Sequence, residues 1–206
     1  EKCVNKTDEA TLGSAVEPDE TTDQKNTLAE MDIHSSVNRL MWGSLNPQIF
    51  YKPTPSLVDI NGTTASFVLD YRISAINSEG TTELYNVKEF YRLRYTDTRV
   101  FLLDFTRSTD EIFSAEGTVI NSKGINLGVT SQNVEFAIDE KSKVAAFVQE
   151  DELWTYQINA GRMTRVFGFP QKENMDYRDF YEKNNIKILR VDSDGNVWFC
   201  VSGYMN

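Results

Sequence analysis

The sequence predicts a mainly β protein: an antiparallel meander of long strands, followed by a sheet of four short strands, with little helix. Three observations carry that reading. Residues 64–107 alternate apolar and polar side chains with the period of two that a half-buried strand requires. Short polar loops, Asn77–Gly80 and Thr96–Arg99, join the alternating runs, as antiparallel neighbours need. Beyond Gly117, Gly124 and Gly128 the runs shorten and become apolar on both faces.

Taken in order, residues 1–27 are rich in Thr, Asp and Glu and have no apolar period. Such a segment buries too little surface to offset the entropy of ordering, so a disordered acidic tail or linker is expected. Residues 1–32 hold nine acidic and three basic side chains, a net of −6, leaving −4 of the total −10 for the remainder. In 28–42, Leu28, Met31, Val37, Leu40 and Met41 partly follow helical spacing, with Gly43 placed as a C-terminal cap, so one short helix is expected. Asn46-Pro47 and Lys52-Pro53-Thr54-Pro55 then punctuate the short apolar piece Gln48–Tyr51.

In the meander, Phe67, Leu69, Tyr71 and Ile73 share one face of the first strand. Tyr85, Val87, Tyr91, Leu93 and Tyr95 share one face of the second, and Val100–Arg107 forms the third. The strands, eight to twelve residues each, exceed the usual five or six. Residues 28–130 are thus expected to form one antiparallel β domain. The short strands follow at 134–138, 144–148, 153–158 and 163–169, and Gly161 supplies the positive φ that a tight hairpin loop needs. Trp154, Tyr156 and Ile158 point one way, yet Leu153 on the other side is also apolar. An antiparallel sheet of this kind is expected where sheets stack face to face.

Val148–Tyr156 aligns with Val191–Cys200 across one inserted residue, which sets Trp154 and Trp198 44 residues apart. That interval matches the blade period of propellers, about 40–50 residues. Asp194-Gly195-Asn196-Val197-Trp198 resembles the "D-G-N-x-W" blade motif of regulator-type and related extracellular β-propellers. The resemblance covers about the last third of the chain and implies one four-stranded blade at 134–169 and the start of another at 186–202. Residues 131–206 then form a propeller-like region that is incomplete, since a ring takes about four to eight blades. The chain is also similar to membrane-anchored envelope proteins of Gram-positive bacteria, which implies an extracytoplasmic place, tethered or secreted, and no particular activity. Beginning at Glu1 and ending on a strand-like run, it reads as a piece of a longer protein.

Composition narrows the function. An acidic chain repels phosphate backbones, so nucleic acid is not an expected partner, and anionic lipid surfaces are disfavoured. No run of 18 or more apolar residues is present, so no membrane insertion of this segment is expected. Cys3 and Cys200 stand at opposite ends and read as two free thiols, with a disulfide as the alternative. The sequons at Asn5 and Asn61 matter only in a eukaryotic secretory setting.

Asp192-Ser-Asp-Gly-Asn begins like a calcium loop, but its Gly stands fourth rather than sixth and Gly203 occupies the twelfth position, so a hairpin turn is expected. The single histidine, His34, offers neither a triad nor a zinc site with two distant cysteines. The glycines at 117, 124 and 128 lack a phosphate-loop pattern, and no cofactor or metal is expected. Asp104 and the cluster Asp176, Asp179 and Glu182 are the carboxylates that a glycosidase could use, against solvated charge and capping.

Arg92 and Arg94 project opposite Tyr91, Leu93 and Tyr95, while Arg99 and Arg107 are expected to share a face with Phe101, Leu103 and Phe105. These arginines and aromatics suit an anionic or saccharide ligand. The alternative is cross-strand pairing with Glu89, Asp97 or Asp104. Tyr177 and Arg178, within Tyr177–Lys183, form a second aromatic-charged cluster, either a binding rim or a plug at a sheet edge. Three functions follow: a non-enzymatic extracytoplasmic binding module with a protein or saccharide partner, a carbohydrate-active or other hydrolase built on a carboxylate pair, and a structural β domain that forms a homodimer through its sheet edges.

Overall fold

A computed structural model describes residues 1–23, 27–115, 120–121, 124–130, 133–168 and 185–203. The protein is mainly β, 54% strand against 8% helix, and its sheets are antiparallel. It divides into two compact units, Glu1–Glu111 with Val129–Ser131 and Ile112–Gly128 with Gln132–Asn206.

The first unit contains α1 (Glu9–Gly13), α2 (Glu20–Asp23), β1 (Glu30–Asp32), α3 (Val37–Leu40), β2 (Gln48–Asn61), β3 (Thr64–Ile76), β4 (Thr82–Tyr95) and β5 (Val100–Glu111). Its five-stranded sheet runs β1-β5-β4-β3-β2. The three alternating runs become strands of 13, 14 and 12 residues, the first two longer than the eight to twelve expected. Tyr71, Ile73, Tyr85 and Val87 meet Trp42 in the core on one face. A second cluster joins Met31, Ile33, Leu40 and Phe105.

The fourteen-residue β2 was not expected, because Pro53 and Pro55 read as breakers. The strand tolerates them because it lies at the sheet edge, bonded among the described residues only to β3, where a missing N–H interrupts no second ladder. Its register shifts between Tyr51 and Thr54, around Pro53. The signal that could have found it is Asn61-Gly62 directly before the alternating run, with Gly62 at φ 57°.

The segment 28–42, expected to hold one short helix, does so only in part. Its first half is β1, with Met31 opposite Arg107, and only Val37–Leu40 is helical. The Asp32 carboxylate accepts the His34 N–H at 2.9 Å, and the Ser35 hydroxyl accepts the Asp32 N–H at 3.2 Å. Side chains that close a turn in this way compete with the helical ladder.

The acidic segment expected to be a structureless tail carries α1 and α2 in residues 1–23. Val4 is buried in the Trp42 cluster, Lys6 Nζ donates to the Gly43 carbonyl at 2.7 Å, and the Glu17 N–H donates to the Ile33 carbonyl at 3.0 Å. Mean polarity conceals single apolar residues such as Val4 that find a partner only in three dimensions.

The second unit contains β6 (Ile120–Asn121), β7 (Gly124–Ile125), β8 (Phe136–Ile138), β9 (Val144–Gln149), β10 (Glu152–Gln157), a 3-10 turn (Ile158–Ala160), β11 (Arg162–Gly168), β12 (Asn185–Val191) and β13 (Val197–Ser202). Four of these strands form a sequential meander, β11-β10-β9-β8, and β12 pairs with β13. Gly161 sits at φ 59° and turns the chain into β11, as the hairpin requires. Val144, Ala146 and Leu153 bury one sheet face against Ile186, Ile188 and Val191 of β12.

The two tryptophans differ in surroundings. Trp154 packs edge-on against Phe113 and donates to Glu152 at 3.2 Å. Trp198 is 46% exposed, with the Arg190 guanidinium 4.9 Å from its ring centroid, so the expectation of cover on both faces fails for it. Its strand, β13, has only β12 beside it among the described residues.

Candidate functional site

The β4–β5 hairpin organises the arginines. Its loop is held by Thr96, whose hydroxyl donates to the Arg99 carbonyl at 2.8 Å and accepts the Arg99 N–H at 3.2 Å. Arg92 lies opposite Asp104 and Arg94 opposite Phe101, so both arginines project from one face of the sheet. The Arg99 guanidinium lies 3.9 Å and that of Arg94 5.1 Å from the Phe101 ring centroid. Arg92, Arg94 and Arg99 are exposed, and none forms a salt bridge with a described residue.

Arg107 is not part of this surface. The register passes from Arg92 opposite Asp104 to Leu93 opposite Leu102, which leaves Leu103 as an extra residue in β5. Such a bulge breaks the alternation. Phe101 therefore faces outward with Arg94, while Phe105 and Arg107 turn inward with Tyr91 and Glu89. The expected common face of Phe101, Phe105 and Arg107 is corrected accordingly.

Arg107 is only 2% exposed, and its Nε donates to Glu89 Oε1 at 2.7 Å. Its Nη1 donates to the Leu40 carbonyl at 3.0 Å, and its guanidinium lies 4.4 Å from the Trp42 ring. Burial works against this charge, but the Glu89 carboxylate outweighs it and pushes the pKa up. Glu89 Oε2 also accepts the Tyr91 hydroxyl at 2.8 Å. Burial, then the Glu89 charge, pushes the Tyr71 and Tyr91 hydroxyls up, so both stay protonated. This cluster is a structural core pair, not an open ligand surface. Tyr177, Arg178, Asp176, Asp179 and Glu182 lie outside the described residues.

The other candidates have local roles. Asp192 accepts the backbone N–H groups of Asp194 and Asn196 and the Asn196 side chain, closing the β12–β13 turn; the Asn196 side chain leads in holding its carboxyl low. His34 Nδ1 lies 3.0 Å from the Glu17 carbonyl. Cys3 and Cys200 are free thiols. Among carboxylates with a raised pKa, Glu111 is pushed up by burial, partly opposed by the Val129 N–H and reinforced by Glu83. Glu83 holds the Asn77 amide at 2.7 Å and the Tyr85 hydroxyl at 2.6 Å, and Glu111 accepts the Val129 N–H at 2.9 Å. Compared with known proteins, the chain matches no family model, no curated protein and no solved structure.

Proposed function

We propose that the chain is a non-enzymatic, extracytoplasmic binding module of a bacterial envelope protein. Its Arg92–Arg94–Arg99 surface engages an anionic protein or saccharide partner. The observation that carries this reading is Arg94 and Arg99 on the Phe101 ring with Arg92 on the same sheet face, all three arginines exposed and without a salt bridge to a described residue, in a chain of net charge −10. Two guanidinium groups on one ring repel each other, and each cation–π contact is worth only about 0.5–1 kcal/mol at an exposed site. A carboxylate or sulfate partner relieves that repulsion and adds charge-assisted bidentate bonds.

The test is titration with polygalacturonate and with polyglutamate at low salt, with dextran as the neutral control. Replacing all three arginines by serine is expected to weaken binding about a hundredfold, near 3 kcal/mol. Preference for polygalacturonate identifies a saccharide partner, and preference for polyglutamate an acidic protein. Equal binding by the triple variant, or none to either polymer, overturns the reading.

The incomplete-propeller reading belongs to the same proposal. It is supported by the sequential order β11-β10-β9-β8 and by the β12–β13 hairpin against one face of that sheet, as the next blade would lie. The hydrolase alternative draws no support from Glu83 and Glu111, which are bonded to Asn77, Tyr85 and Val129. A second reading, pairing between copies, rests on the β2 edge, where Leu57, Val58 and Ile60 are 58%, 59% and 69% exposed.

A further inference from the structure

The second unit has a half-open apolar cavity of about 530 Å³ between its four-stranded sheet and the β6–β7 hairpin. Two cross-strand rows form its floor, Phe136–Phe147 and Ile138–Ala145–Tyr156. In the second row a small residue stands between two large ones, so the sheet surface sinks into a trough over Ala145. Ile120, Ile125 and Leu127 face it from the hairpin side, and Phe113 closes on Phe147 and Trp154 with centroids 5.2 Å away. The strands of β6–β7 are two residues each.

The opposite face of the same sheet shows what full cover looks like, with Ala146 and Leu153 at 0% exposure under β12. On the cavity side Phe136 remains 68% exposed. Among the described residues lining the cavity none carries a charge at neutral pH, and Tyr156 contributes the one side-chain hydroxyl. An ion or a sugar would lose its hydration without replacement partners. A peptide laid over the face would leave its backbone groups unpaired for the same reason.

We propose that this cavity binds a single unbranched acyl chain, its polar head at the mouth. The chain carries no polar group along its length, so it suits a floor of aliphatic and aromatic side chains, and the volume lies within the roughly 300–1,000 Å³ of small-molecule sites. This inference is independent of the arginine surface.

The test uses cis-parinaric acid, whose fluorescence rises in an apolar site, titrated below its micellar concentration into the full chain. Saturable binding in the micromolar range is expected. Ala145→Phe fills the trough and should weaken binding at least about tenfold. Phe136→Ser acts on an already exposed side chain, leaves folding intact, and should weaken binding about fivefold. Leu189→Ser, on the exposed side of β12, should change nothing. A parallel arm measures co-sedimentation with phosphatidylcholine vesicles. Cavity-dependent binding in solution assigns a free fatty acid as the source of the chain, and vesicle binding lost in Phe136→Ser assigns a membrane lipid. Absence of saturable binding in both arms, or binding that neither cavity variant alters, overturns the proposal.

Discussion

Removing the Glu89 carboxylate from beneath Arg107 should destabilise the first unit severely. Both groups are almost wholly buried, at 5% and 2% exposure, so neither can regain water without opening the sheet. In Glu89→Ala, Arg107 keeps the Leu40 carbonyl and the Trp42 ring but loses its counter-charge, and Tyr91 loses its acceptor. An uncompensated buried charge costs about 3–5 kcal/mol, against a typical domain stability of about 5–15 kcal/mol. With a urea slope of about 1–3 kcal/mol/M, the unfolding midpoint should fall by at least about 1 M. Since the chain comprises two units, amide hydrogen exchange at Val87 and Thr109 reads the first one specifically. Glu89→Leu combined with Arg107→Met removes both charges and should recover most of the loss, though it leaves the Leu40 carbonyl without its donor. A change under about 1 kcal/mol in Glu89→Ala, or a double variant no more stable than the single one, would refute the reasoning.

Two further outcomes are expected. Burial pushes the Asp139 carboxyl up, but the Ser193 hydroxyl and the N–H groups of Val144, Lys141 and Lys143 outweigh it and hold it well below the usual range. A depressed folded-state pKa contributes stability above the unfolded value of about 3.9 and loses it as pH falls further. Exchange protection at Val144 should therefore fall as the pH drops below about 4, and Asp139→Asn should lower it at pH 7 and flatten the profile, with Asp192 supplying what acid dependence remains. Unchanged protection in Asp139→Asn would refute the linkage. If β2 edges pair between copies, sedimentation equilibrium should show a dimer, and Val58→Lys should convert it to monomer; a wild-type monomer at about 100 µM would exclude that pairing.

The meander was legible in the sequence because alternation reports directly which side chains face a core. Phe67 to Ile73 and Tyr85 to Tyr91 follow it through the middle of β3 and β4, and the turns at Asn77–Gly80 and Thr96–Arg99 lie where polar residues cluster. The short strands around Gly161 were legible for the same reason. The candidate site was half legible: Arg92 and Arg94 occupy the face that their spacing assigns, while Arg107 does not join them. No local signal marks the bulge at Leu103, which depends on how β5 pairs with β4.

By itself, the sequence determined the β class, the hairpin turns and the faces of individual strands, because side-chain alternation and turn chemistry act over a few residues. Tertiary structure decided what those faces meet. It carried prolines into an edge strand where no second ladder is broken, drew Val4 into the core and paired Glu89 with Arg107 beneath Trp42. It also left a trough over Ala145 that no composition or period could announce. Burial is a property of distant segments brought together, and its energies are settled only when both sides of a contact are present.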